Sequence, residues 1–239
     1  MVEETLSDLK KLASKGPIKA VSSGSNSVGK TLQAALGIEH STTSRNYYKG
    51  FTITSTAANA SSRTNLFAQV PDWQKSPVTS SKKMVDLYGI EDETGKYQKK
   101  LFCTVNALKP NTFNLILKVD QRANILSEWH SSEQTENEVV TWDSKKLFSK
   151  LLKQDRSVVL SATRHKKTDG DYFHFQYAEF YLSPSFERFL QQIEFGGISV
   201  DHLIALKSGT ATEKGPLFKV TKNAREDLFG DYKKFNLLD

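Results

Sequence analysis

The sequence predicts a mixed α/β fold built around a substantial sheet. Apolar residues recur at helical spacing near the start, at Leu6, Leu9, Leu12 and Ala13. The middle of the chain then runs strand after strand, and helical patterns return after residue 143 and at 185–195.

Taken in order, residues 3–15 form a short amphipathic helix that Gly16 and Pro17 stop, because proline has no N–H to continue the ladder. A Ser/Gly-rich turn from Ser22 to Ser27 opens a second helix, from about Val28 to Leu36, which ends at Gly37. Strands are expected at 50–54, 65–70, 101–105, 113–119 and 125–129, in a mostly antiparallel or mixed sheet. Asp120-Gln121-Arg122-Ala123 suits a hairpin turn between the last two, and the polar, acidic run 131–138 reads as a solvated loop. Asp143 or Ser144 caps a helix whose Leu147, Phe148, Leu151 and Leu152 share one apolar face. Strands at 157–163 and 172–182 follow, then a helix over 185–195 ended by Gly196-Gly197, then an extended run from Val200 to Ala205. With no internal repeat and no linker, residues 1–239 are expected to form a single domain. Trp73, Trp129 and Trp142 are too scattered for a single-strand stacking face and read as core.

Composition narrows the partners. The formal charge of +6 and the pI near 9.2 favour an anionic ligand such as nucleic acid, since clustered Lys and Arg displace counterions from phosphates. Cys103 is the single cysteine, which excludes an internal disulfide and any zinc site of several thiolates and suits a reducing, cytoplasmic home. The acidic start and the lack of an apolar run of ~20 residues give no sign of export or membrane spanning.

Gly24-Ser25-Asn26-Ser27-Val28-Gly29-Lys30-Thr31 matches the phosphate-binding P-loop pattern and precedes a helix, as phosphate cradling requires. Its context is wrong. A P-loop needs a buried strand before it and a later apolar strand ending in Asp for magnesium. Here the preceding run is only Ile18 to Val21, and the run from Asn114 to Asp120 is broken by Lys118. The motif therefore reads as a turn that opens a helix.

A longer series of segments is similar to the MvaI/BcnI family of type II restriction endonucleases, relatives of the MutH mismatch-repair nuclease. It comprises Ser27-Val28-Gly29-Lys30-Thr31-Leu32, Ser62-Arg63-Thr64-Asn65-Leu66-Phe67, Val70-Pro71-Asp72-Trp73, Cys103-Thr104-Val105-Asn106-Ala107 and Glu213-Lys214-Gly215-Pro216-Leu217-Phe218-Lys219. Each is weak alone, and their order carries the resemblance. It implies a restriction-endonuclease-like core of the PD-(D/E)xK type, with a central mixed sheet flanked by helices and two lobes around a DNA cleft. The lobes expected are a catalytic-type one over about 1–135 and a recognition-type one over about 136–239. A monomer is implied.

The family holds Mg²⁺ with a helix Glu, an Asp and a Glu-x-Lys on a strand. The carboxylates bind the ion, which activates water, and the Lys orients the nucleophile. Laid onto this chain, those positions fall at Gln33, at Asn46 (or Tyr47, since the loop length differs), and at Thr52 and Thr54. Gln and Asn keep the shape of Glu and Asp without the charge, and Thr54 cannot replace an ammonium group. Glu39 and His40 lie beyond the helix break, and Ser41 to Thr64 contains no Asp or Glu. The expectation is a disarmed metal site with no cofactor, Mg²⁺ being needed only if carboxylates from elsewhere, such as Asp72, Asp86 or Asp120, rebuild it.

Candidate DNA contacts are Lys30, Arg45, Lys49, Arg63, Lys82, Lys83, Lys99 and Lys100, with Arg63 preferred because it falls in a family signature. The resemblance also assigns base reading to the C-terminal part, including the loop matching 207–214. There Lys207 and Lys214 can donate to guanine and Glu213 can accept from cytosine, although an exposed ion pair at a turn is an equal reading. Asp201-His202, Arg164-His165-Lys166-Lys167 and Phe173-His174-Phe175 read as core groups or a hairpin tip, not as metal or acid–base sites.

The leading expectation is sequence-directed binding of duplex DNA without efficient cleavage, as a recognition or regulatory component of a restriction or defence system. An active Mg²⁺-dependent endonuclease cutting a CC/GG-containing site is the runner-up. A P-loop nucleotide-binding protein and a protein-binding scaffold are the remaining readings.

Overall fold

A computed structural model of the chain describes residues 1–24, 26–39, 47–57 and 63–239. Among the described residues the elements are α1 (Val2–Ser14), β1 (Ile18–Lys19), α2 (Ser27–Ala35), β2 (Tyr47–Tyr48), β3 (Phe51–Ala57), β4 (Thr64–Ala68), α3 (Ser81–Tyr88), β5 (Ile90–Glu91), β6 (Lys99–Val105), β7 (Leu115–Asp120) and β8 (Ile125–Ser131). They continue with β9 (Glu136–Trp142), α4 (Ser144–Leu152), β10 (Ser157–Lys167), β11 (Gly170–Pro184), α5 (Phe186–Glu194), β12 (Ile198–Lys207), β13 (Thr210–Glu213), β14 (Leu217–Val220), α6 (Lys222–Leu228) and β15 (Phe229–Asn236). The α/β class expected from the sequence is the one observed.

Two compact units share these elements. Unit 1 consists of Met1–Ser61, Gln154–Ser183 and Phe229–Asp239, and unit 2 of Ser62–Lys153 and Pro184–Leu228. Each is discontinuous in sequence, and residue 135 falls in the turn between β8 and β9, inside unit 2.

Unit 1 holds a mixed sheet in the order β1-β11-β10-β3-β2, with β15 added against β11. β3 and β10 run parallel, whereas β10–β11, β1–β11 and β2–β3 are antiparallel. Leu9 and Leu12 of α1 and Leu32 of α2 close over Phe51, Ile53, Val158, Leu160, Phe173, Phe175 and Phe180 of the sheet. Burying this apolar set is what fixes both helices to one face.

Unit 2 holds an antiparallel sheet in the order β4-β14-β12-β6-β5, with β13 on β12, and a three-stranded meander β7-β8-β9. Its core is aromatic: Phe218 sits 5.0 Å from Phe67, 5.8 Å from Phe189 and 5.8 Å from Trp142, centroid to centroid. Trp142 also donates its indole N–H to the Gln69 carbonyl at 2.9 Å, which satisfies its one polar atom in the core.

Some expectations need correction. Only residues 132–135 form the turn after β8, and Glu136 and Asn137 already belong to β9. β9 is an edge strand, where exposed charge discourages pairing with another chain, so a polar start does not mark a loop. In α4, Leu147 and Leu151 are buried while Phe148 and Leu152 are exposed, so the apolar face is narrower than its pattern suggests. Of the three tryptophans only Trp142 is fully buried. α3, capped by the Ser80 hydroxyl accepting from the Lys83 N–H, lay in a stretch with no helical pattern long enough to show.

Candidate functional site

Strand alternation gives the mixed sheet of unit 1 two faces. Phe51, Ile53, Val158, Leu160 and Phe180 point into the core, so Thr52 and Thr54 take the opposite face with Ser157, Val159, Glu179 and Tyr181. The register sets Thr52 beside Ser157 and then Tyr181, and Thr54 beside Val159 and then Glu179. Thr52 is half-buried and Thr54 exposed. Gln33 stands on α2, which packs against β3, and its side-chain amide oxygen is buried without a hydrogen-bond partner. Asn46, the fourth position, lies outside the described residues, as does Arg45.

These residues do not fit a divalent cation. Mg²⁺ is held at about 2.1 Å by carboxylate oxygens that offset its charge, whereas Gln33, Thr52 and Thr54 offer neutral oxygens only. Among the described residues no group of three or more His, Cys, Asp or Glu is arranged to hold a metal. The carboxylate nearest in register on that face, Glu179, is two strands from Thr54, about 10 Å at ordinary strand spacing. It is already engaged: the Tyr181 hydroxyl donates to it at 2.9 Å, the Tyr232 hydroxyl at 3.5 Å, and the Lys234 ammonium lies 3.8 Å away.

The P-loop-like segment also lacks its machinery. The strand before it, β1, is a two-residue strand at the sheet edge, antiparallel to β11, not a central parallel strand. Thr31, which would bind magnesium, is buried, donates its hydroxyl to the Ser27 carbonyl at 2.7 Å and accepts from the Val21 N–H at 3.3 Å. Lys30 is exposed, and Ser25 lies outside the described residues.

Arg63 enters a network on the sheet of unit 2. Its guanidinium donates to Asp201 at 3.1 Å, to the Thr104 hydroxyl at 3.1 Å and to the Ser199 hydroxyl. Asp201 also receives Thr104 at 2.8 Å and the Lys219 ammonium at 2.6 Å. Burial acts to raise the Asp201 pKa, but Lys219, Thr104 and Arg63 outweigh it and hold this carboxylate below its ordinary range. Sequence reasoning missed Lys219 and Asp201 as partners because they are distant in the chain and meet only through the β12–β14 register.

Several predicted cations are likewise committed. Lys49 pairs with Glu4 at 2.7 Å and Asp8 at 2.6 Å, Lys82 with Asp86 at 2.7 Å, and Lys100 with Asp92 at 2.6 Å, while Lys99 donates to the Asp86 carbonyl at 3.2 Å. Lys83 is exposed.

The 207–214 segment is a β-hairpin. Lys207 closes β12 opposite Thr210, and Ser208 and Gly209 both have positive φ, 50° and 74°, as a two-residue turn matched to strand twist requires. Lys207 and Lys214 are exposed. Glu213 is half-buried, opposite Ile204, and its carboxyl is hydrogen-bonded by Ser81 of α3.

A model of the MvaI/BcnI restriction endonuclease family matches residues 6–229. The chain belongs to that family. Two solved structures share the fold of this MvaI/BcnI family member. One is a complex of restriction endonuclease MvaI with cognate DNA, at 20% identity over 97% of each chain with a TM-score of 0.75. The other is MvaI without DNA, at 19% identity over 96% of this chain and 95% of that one, with a TM-score of 0.60. No curated protein matches the sequence. Among the described residues no helix is long and apolar enough to cross a membrane.

Proposed function

We propose that this MvaI/BcnI family member binds duplex DNA in a sequence-directed way and does not cleave it efficiently. One observation carries the reading: the family fold is kept while Gln33, Thr52 and Thr54, which the resemblance sets at the family's charged positions, are uncharged. Recognition and cleavage rest on different residues, so the first survives loss of the second. The DNA-bound relative supports duplex DNA as the ligand.

Lys207 and Lys214 on the β12–β13 hairpin and Lys30 at the start of α2 are the proposed contacts. Within unit 2, Arg63 and Glu213 support the hairpin contacts from beneath, the first by tying β6, β12 and the start of β4 together, the second from the base of the hairpin. The protein would then serve as a recognition or regulatory part of a restriction system, acting as a cytoplasmic monomer.

The test is incubation of plasmid DNA with the protein and Mg²⁺ or Mn²⁺, beside binding to random and CC/GG-containing duplexes at two salt concentrations. Salt-sensitive binding without cutting is expected. Site-specific cutting overturns the reading in favour of an active endonuclease. Absence of binding overturns it in favour of a protein-binding scaffold.

A further inference from the structure

The core of unit 2 encloses two ionisable side chains, and a third, half-buried one meets them from another strand. Glu128 of β8 and His202 of β12 are 0% and 1% exposed, with His202 Nε2 2.8 Å from Glu128 Oε2. Glu213 of β13 is the third, within electrostatic reach of His202. Each keeps a buried polar atom without a hydrogen-bond partner: His202 Nδ1, Glu128 Oε1 and Glu213 Oε1. Buried polar atoms are normally satisfied, so three such atoms in one cluster mark a place where a proton decides the energetics.

We propose that Glu128, His202 and Glu213 form a buried proton-binding cluster that positions the β12–β13 hairpin, so that DNA affinity falls as pH rises through neutrality. The DNA half of this rests on the functional reading above.

The register places the cluster under the hairpin. Glu213 faces Ile204, and Ile204 lies two residues from His202, so Glu213 and His202 are diagonal neighbours on one side of the β12–β13 ladder. Lys214, a proposed contact, follows Glu213 directly. Burial pushes the Glu213 carboxyl up to about 7, which the His202 charge and the Ser81 hydroxyl only partly offset. Burial also works against the His202 imidazolium, but Glu128, Glu213 and Asp201 together hold its pKa above the ordinary histidine range. Below neutrality Glu213 is therefore neutral, while the His202 imidazolium stays hydrogen-bonded to the buried Glu128 carboxyl. Ionising Glu213 adds a negative charge beside that buried pair. That favours movement of the end of β13 towards water and places an anion beneath a phosphate-binding surface.

His130, two residues from Glu128 on β8, stacks on Tyr88 with ring centroids 5.7 Å apart, and the variant separates its effect from that of Glu213. Three further groups facing the cluster stay fixed across this range. Cys103 of β6, directly opposite His202, is pushed up to about 12 by burial and by Glu128. Tyr88 of α3 is raised by burial and by Glu128, so it remains a phenol. Asp201 stays ionised, held low by Lys219, Thr104 and Arg63 against its burial. α3 turns Ser81, Met84, Val85 and Tyr88 inward, while its Lys82 and Asp86 pair in solvent.

Glu213→Gln installs the neutral isostere of the protonated acid. Affinity for a CC/GG-containing duplex would be measured at constant ionic strength for wild type and variant across about pH 6 to 8. Wild type is expected to weaken roughly tenfold over that range for one linked proton, and the variant, whatever its absolute affinity, to lose that pH slope. A level wild-type profile, or a variant that keeps the wild-type slope, overturns the proposal. Carbon NMR of the Glu213 carboxyl in DNA-free wild-type protein decides the cluster independently of DNA and of the variant's folding. A midpoint near 7 supports it, and one in the ordinary glutamate range overturns it. Absence of DNA binding at every pH overturns the functional reading and with it the DNA half of the proposal, and the NMR midpoint still shows whether the cluster binds a proton as proposed.

Discussion

The Arg63 guanidinium lies 3.1 Å from the Asp201 carboxylate, and Lys219 closes on the other oxygen of the same group at 2.6 Å. A residue that the sequence presents as a DNA contact thus spends its donors inside unit 2, joining the start of β4 to β6 and β12. Arg63→Ala leaves Asp201 with one cation in place of two and strips Thr104 and Ser199 of a donor. A loss of about 1–3 kcal/mol in unfolding free energy is expected, since hydrogen bonds to charged groups are worth that much when partly buried. Urea denaturation measures it, and an unchanged midpoint refutes the role as a strut.

Magnesium should neither bind nor act at Gln33, Thr52 and Thr54. A ligand stabilises the fold by RT ln(1 + [L]/Kd), so millimolar MgCl₂ should raise Tm no more than NaCl of equal ionic strength. Alanine at any of the three should leave DNA affinity within about 0.5 kcal/mol of wild type, as for surface changes away from special features. A Mg²⁺-specific rise in Tm that Thr52→Ala removes would count decisively against the disarmed site.

Lys207 and Lys214 should carry salt-dependent affinity. Removing one phosphate-binding cation lowers the slope of log affinity against log salt by about 0.9. The double alanine variant is therefore expected to lose roughly two units of slope if both touch phosphate. If either reads guanine, the loss shows instead as about 1–3 kcal/mol of discrimination between CC/GG and random duplexes. Equal affinity and equal slope in titrations by fluorescence anisotropy would remove the hairpin from the interface.

The pH dependence of stability follows from the raised pKa values. Glu213 titrates near 4.5 in the unfolded chain and at about 7 in the fold, so the fold holds this proton more tightly. Its contribution is complete below about pH 4.5 and is lost as pH rises to about 7. The raised His202 pKa acts in the same sense, its contribution being lost as pH climbs beyond the ordinary histidine value of 6.5. The stability difference between Glu213→Gln and wild type should therefore move in the variant's favour between about pH 4.5 and 7 and then level off. Denaturation series at successive pH values test it, and a constant difference speaks against a buried, proton-holding Glu213.

Phe218→Ala should cost about 3–5 kcal/mol, because the ring fills the space between Phe67, Phe189 and Trp142 and no small side chain closes that gap. Calorimetric unfolding gives the value, and a cost below about 1 kcal/mol would show that the aromatic cluster can collapse around the hole.

Much of this molecule was legible in one dimension. Periods of 3.6 and 2 located α1, α2, α4, α5 and the long strands, because a residue's face is set by its own spacing. The family signatures, read in order, pointed to the restriction-endonuclease fold. The uncharged letters at Gln33, Asn46, Thr52 and Thr54 are facts of the sequence alone, since charge is a property of residue type. The tertiary structure decided which charges are already paired. Arg63 with Asp201, Lys49 with Asp8, and Glu128 with His202 come from segments about 40 to 140 positions apart, and the packing of strands, sheets and helices on one another, which no local pattern encodes, brings them within hydrogen-bonding distance. The same holds for Glu213: its letter promised an exposed acceptor, and burial beside His202 made it a carboxyl that holds its proton towards neutrality.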